Sequence, residues 1–245
     1  MGANNFVRLG LLVRAVIGAG AWHSPAFAEF RHGFCATGGA GRRLDLDALA
    51  ALQGRERRLA EQMLLNALPD VSAIAGLGEL APRRALRRLT ALFEQQCARA
   101  QAACVAGEAH WSGAVMIATA AALWRIAPQE RFARAVAGRL RYARAASERM
   151  DAAAALAGMP TAEVDEALNE ALDDRDALVR HHAARALLAL HGVEVDARAT
   201  HFMAYRVMAC EAARRQEGLR DIATALAERP LRRMQPHQGL PGAPI

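Results

Sequence analysis

The chain has 245 residues, of which 53% are hydrophobic and only 5% aromatic. So much apolar surface excludes a wholly disordered chain. A charged fraction of 23% without repeated long apolar runs excludes a polytopic membrane protein. Alanine supplies 59 residues, so the apolar content is small and helix-favouring, and the expected class is all-α rather than a sandwich or barrel. All 31 basic residues are arginine, and the net charge is +6. Residues 151–200 carry 4 Arg against 10 Asp and Glu, a net of −6; the remainder carries 27 against 15, a net of +12. One acidic and one basic sector suit an acidic protein, a nucleic acid or a second copy of the chain.

Residues 1–43 form an amino-terminal segment with two readings. Arg8 precedes an apolar stretch from Leu9 to Trp22, and Ala26-Phe27-Ala28 then resembles a secretory cleavage site. Arg14 within that stretch, with Gly18 and Gly20, favours instead the first helix of a cytoplasmic protein. The expectation is cytoplasmic, with export and cleavage after Ala28 as the alternative. Residues 33–43 read as a glycine-rich loop. The string Thr37-Gly38-Gly39-Ala40-Gly41-Arg42-Arg43 lacks phosphate-loop spacing and follows no predicted strand.

From Leu44 the period is helical. Val179, Ala183, Ala186, Leu187 and Leu190 fall on one face, with Asp176 as the N-cap and Gly192 as the stop. Before them, Val164, Leu168, Ala171 and Leu172 make another apolar stripe that starts at Pro160-Thr161. Asp173-Asp174-Arg175 joins the two into an antiparallel hairpin. A seven-residue pattern of small residues and leucine recurs through the chain. It starts at Ile74, Ala120, Ala153 and Ala184, and its leucines are Leu77, Leu123, Leu156 and Leu187. Two steps are 33 and 31 residues; the first is 46, which predicts an extra half-repeat near residues 95–110. Small residues let neighbouring helices approach, and the leucine fills the seam. The stretch from Trp111 to Trp124 is too short for a bilayer span and reads as a buried helix.

The strings Gly76-Leu77-Gly78-Glu79-Leu80-Ala81-Pro82-Arg83-Arg84-Ala85-Leu86 and Asp174 through Leu187 resemble HEAT repeats. They are closest to the short bacterial type of phycobilisome-lyase-like proteins. Asp176, Val179 and Arg180 are similar to that family's turn into its second helix. The resemblance implies a short HEAT-like α-solenoid of stacked antiparallel helix pairs over residues 44–192, binding a protein partner on a face built from second helices. The positions it points to are His181, Arg185 and Leu188, with Met150, Ala154 and Ala157 one repeat earlier. Residues 193–229 read as a helical cap whose Phe202, Tyr205 and Met208 form a sticky face expected in the core. The proline-rich residues 230–245 read as a disordered tail.

No catalytic, dinucleotide or Walker motif is present, so no catalytic residue, cofactor or metal is expected. Cys97 and Cys104 would share a helix face with His110 nearby, but zinc-site spacings are tighter, and nothing marks a third group to orient Cys104 and His110 as nucleophile and base. The leading expectation is a non-catalytic scaffold for protein–protein interaction. A second reading is nucleic-acid binding, DNA glycosylase-like by fold analogy. It rests on Arg83, Arg84, Arg87 and Arg88, then Arg131, Arg134, Arg139, Arg141 and Arg144. A third, a cofactor lyase or chaperone, rests on the family likeness alone.

Overall fold

The computed structural model describes residues 23–35, 44–106, 113–193 and 197–227, with Arg229 and Leu231. Residues 1–22, the string Thr37 to Arg43, His110 and the proline-rich tail after Leu231 lie outside them, as does the side chain of Cys104. The described chain is helical, with no strand among the described residues. No helix among them is long and apolar enough to cross a membrane. The chain divides into two units, residues 1–63 and 64–245.

In the first unit, α1 (Pro25–Cys35) packs on α2 (Leu46–Ala50), and α3 (Gly54–Asn66) follows. Phe27, Phe30 and Phe34 recur on one face of α1 and are buried, with ring centroids 5.9 and 5.5 Å apart along the row. Residues 33–35, expected to open the loop, are therefore the last turn of α1: burying Phe34 on Phe30 extends the helix past Gly33. The bond after Ala28 lies inside this helix. Ser24 caps α1: its hydroxyl accepts from the Phe27 amide at 3.1 Å and donates to Glu56 at 2.6 Å. The Ser24 amide donates to the same carboxylate at 2.7 Å. The Ser24 hydroxyl and amide hold the Glu56 carboxyl below its usual range.

The second unit contains α4 (Val71–Leu80), a 3-10 turn over Arg83–Ala85, α5 (Leu86–Ala106), α6 (Ala114–Ile126), α7 (Glu130–Tyr142), α8 (Ala146–Leu156), α9 (Ala162–Ala171), α10 (Ala177–Leu190), α11 (Ala197–Arg206) and α12 (Ala212–Ala227). Local chemistry sets the starts. Asp70, Thr161 and Asp176 each accept amide hydrogens from the first turn of α4, α9 and α10. Gly192, at φ +63°, ends α10. No glycine or proline interrupts residues 86–106. Over its described part, residues 95–106, the extra length expected as a half-repeat near 95–110 instead continues one 21-residue helix.

The helices pack in sequence order. Helices α4, α6, α8 and α10 lie against one another in succession, and each carries one copy of the seven-residue pattern. Helices α7 and α9 pack together behind them. Phe93 of α5 meets Phe132 of α7 edge-on, with centroids 5.2 Å apart. The pattern's leucines, Leu77, Leu123, Leu156 and Leu187, are all fully buried, as are its first residues Ile74, Ala120, Ala153 and Ala184. Its closing residues Leu80, Met159 and Leu190 are buried too, while Ile126 is half-buried. The second position faces out: Ala75, Ala154 and Arg185 are exposed, and Ala121 is half-exposed.

Gly78 sets the closest of these approaches. A β-carbon there would lie 3.0 Å from the Ala122 Cα and 3.2 Å from its Cβ, both on α6. Backbone cannot yield as a flexible side-chain end does. Gly78→Ala is expected to cost about 1–3 kcal/mol by forcing α4 and α6 apart, despite the better helix propensity of alanine. Urea melts of the two proteins measure it. An unchanged or raised stability would show that the contact relaxes freely.

Candidate binding face

The terminal hairpin α11–α12 covers much of α10: α11 packs on α10, and α12 reaches both. That covering corrects two of the expected outward positions. Leu188 is fully buried and His181 is 91% buried, with 9% of its surface exposed. Only Arg185 of the three is exposed; on α8 Ala154 is exposed, with Met150 and Ala157 half-buried. The opposite correction applies on α11. Phe202 and Tyr205, expected in the core, are 57% and 61% exposed. The small Ala204 and Val207 turn inward in their place, because α11 sits close against its neighbours. At Gly218 of α12 a β-carbon would lie 2.8 Å from the Arg206 Cβ, which shows how near α12 runs to α11.

These placements gather a titratable and aromatic group on α8, α10 and α11. The His181 ring meets His182 and His201 edge-on, at 5.6 and 6.0 Å between centroids. His201 stacks on Tyr205 at 6.5 Å. The Arg206 guanidinium lies 4.8 Å from the Phe202 ring centre, a cation–π contact that leaves the ring's edge open. Burial lowers the pKa of both His181 and His182, with Arg185 adding repulsion to each, which keeps the imidazoles neutral. Burial raises the Asp151 carboxyl on α8, only partly opposed by His182. Neutral rings, stacked aromatics and one exposed guanidinium make a surface suited to binding.

The Nδ1 atom of His181 is buried without a hydrogen-bond partner. Protonation would place an unpaired donor there, at a cost of about 1–3 kcal/mol. The sign follows from linkage. The folded value lies below the unfolded one, near 6.5, so stability is full above the unfolded value and falls as pH drops toward the folded one. His181→Leu is expected to lose less stability than the parent between pH 7.5 and pH 5.5, by about 1 kcal/mol. Parallel loss in both proteins would assign the acid sensitivity elsewhere.

Two arginines that the sequence reading left out of any site hold the seams. Arg149 of α8 is 4% exposed and makes a bidentate pair with Asp174, Nε to Oδ2 at 2.7 Å and Nη2 to Oδ1 at 2.9 Å. Its Nη1 donates to the Ala143 and Arg144 carbonyls, each at 3.0 Å. Arg180 of α10, also 4% exposed, donates to the carbonyls of Asp174, Arg175, Val207 and Met208. The two stand 31 residues apart, the step of the repeat, so a second copy of Arg180 was the signal for Arg149.

The other arginines expected to form a phosphate track are mostly engaged. Arg134 pairs with Glu163, Arg139 with Glu148 and Arg141 with Glu170, at 3.1, 2.6 and 2.7 Å. Arg131 lies 3.7 Å from Glu94. Within the acidic stretch Glu163, Glu166, Glu170 and Asp174 thus lie against arginines of neighbouring helices. A shallow cleft of about 420 Å³ beside Arg141, Tyr142 and Glu170 is lined by the pair that closes it. Arg84 and Arg88, the other expected contacts, lie exposed at the start of α5.

Cys97 is half-buried on α5, where burial raises its thiol above the usual range and keeps it protonated. Among the described residues no group of three ligating side chains could hold a metal ion. No protein-family model matches the chain, and a search of curated proteins finds no relative.

Proposed function

We propose that the chain is a short HEAT-like α-solenoid that holds another protein and performs no chemistry on it. One observation carries the reading: the four pattern-bearing helices α4, α6, α8 and α10 pack in succession, with matching positions buried in register. Such stacking is how repeats that cannot bury their faces alone share a core. It leaves the row Ala75, Ala121, Ala154 and Arg185 turned outward, low in relief and accessible to an extended partner. Phe202 and Tyr205 supply the exposed aromatic surface of the kind that anchors interfaces.

The test is photo-crosslinking in extract of the native host. A benzophenone amino acid at Ala154 or Arg185 is expected to trap the same partner, and one at Gln101 of α5 is not. Adducts that are absent at the first two positions, or equal at all three, would end the reading.

A further inference from the structure

The carboxylates of the second unit are mostly spent. Besides the pairs already described, Glu79 accepts from Arg125 at 2.8 Å, and Asp221 from Arg206 at 2.7 Å. The start of α5 is different. Arg83, Arg87 and Arg88 are all exposed, and none of them lies in an ion pair among the described residues. The N-cap of the turn that carries Arg83 is Pro82, which has no side-chain acceptor to offer. Three exposed guanidiniums therefore fall within six residues of chain around the start of α5, in a chain whose net charge is +6. Arg83 and Arg87, four residues apart, repel each other, and an anionic partner would relieve that repulsion.

We propose that Arg83, Arg87 and Arg88 dock a short acidic segment of a partner polypeptide; this rests on the scaffold reading above. Planar guanidinium forks take carboxylates two bonds at a time, which an ammonium cannot do. The footprint decides between a peptide and a nucleic acid. The cluster runs about 8 Å along the helix. Beyond it α5 carries Glu94, the uncharged Gln95, Gln96 and Gln101, and one isolated arginine, Arg99, 11 residues past Arg88. Four of the five arginines in the second group that would have continued a phosphate track, Arg131, Arg134, Arg139 and Arg141, are paired with Glu94, Glu163, Glu148 and Glu170. What remains accommodates two or three carboxylates and gives a duplex no path to follow.

Fluorescence anisotropy tests this with three labelled probes: a short Glu–Gly peptide, its Gln–Gly counterpart, and a DNA duplex. The Glu peptide is expected to bind at low salt and to weaken as salt rises, and the Gln peptide not to bind. Combined R83Q, R87Q and R88Q should weaken the Glu peptide at least about tenfold. A control with the same loss of charge, R144Q, R215Q and R220Q, should bind it as the parent does. Binding that falls equally in both variants would show a general charge effect and overturn the proposal. So would no binding of the Glu peptide at low salt, or tighter binding of the duplex lost with the same three arginines. If the peptide result fails while Ala154 and Arg185 still cross-link a partner, this proposal falls alone. If the cross-links fail as well, the scaffold reading falls with it.

Discussion

Arg149→Met is expected to lower the stability of the second unit by about 3–5 kcal/mol, the usual cost of removing one member of a buried ion pair. In a domain of this size that lowers the melting temperature by roughly 10 °C. The loss has three parts. Asp174 keeps its burial and loses its counter-ion; the Ala143 and Arg144 carbonyls lose their donors; and the link from α8 to the loop before α10 is gone. Asp174→Asn should also cost several kcal/mol, because its one amide oxygen can replace only Oδ1, its NH2 would meet the Arg149 Nε–H, and Arg149 would stay buried without a counter-ion. The pH dependence gives the cause away. Burial alone would raise the Asp174 carboxyl, but the Arg149 and Asp176 hydrogen bonds outweigh it and hold it low. A lowered folded value means that its stabilisation is present above the unfolded value, about 3.9, and is lost as pH falls through the folded one. In Arg149→Met the Asp176 amide still donates, but the Arg149 hydrogen bonds that opposed burial are gone, so the carboxyl rises and the deficit against the parent narrows in acid. Urea melts at neutral and acid pH measure both effects. A deficit under 1 kcal/mol, or one that ignores pH, would show that the pair contributes little beyond filling space.

Much of this fold was legible in the sequence because it is written in local terms. The caps at Asp176 and Thr161, the stop at Gly192 and the buried leucines all follow from residues within a turn or two of one another. The recurring pattern also separated its buried first, leucine and closing positions from its exposed second position on α4, α8 and α10. What could not be read was coverage by distant chain. Leu188 and His181 lie on the side of α10 that a lone hairpin leaves open, and only α11 and α12 close it. Phe202 and Tyr205 failed in the opposite direction: large aromatics suggest a core, but the close α11–α12 contact has room for Ala204 and Val207 instead. Charge misled for a related reason. The acids of 151–200 read as a bare sector, whereas Glu163 and Glu170 face arginines 29 residues earlier, across the α7–α9 seam. Arg149 was missed because nothing beside it in sequence marks a partner. Only its 31-residue step from Arg180 does.

That step also predicts what Arg180 does. Arg149 ends on a carboxylate, but Arg180 has none: its guanidinium is spread over four carbonyls, two before α10 and two just beyond the last residue of α11. The latter two, Val207 at 2.8 Å and Met208 at 3.1 Å, lie at the negative end of α11, where a cation is favoured. Arg180 therefore fastens the terminal hairpin to the rest of the unit from one end. The other end has its own fastening: the Arg229 guanidinium donates to Gly192 at 2.8 Å, and the His191 ring nitrogen lies 2.6 Å from the Arg229 carbonyl. Arg180→Ala is expected to release α11 and α12 locally before it unfolds the whole. Amide exchange in residues 197–227 should speed up by about two orders of magnitude, equivalent to 2–3 kcal/mol, with α6 to α9 little changed. Arg180→Lys should not restore protection, since one ammonium cannot reach carbonyls on both sides of the seam. If exchange rose evenly through the second unit instead, Arg180 would be part of a single cooperative core, and the hairpin could not be treated as a separable cap over α10.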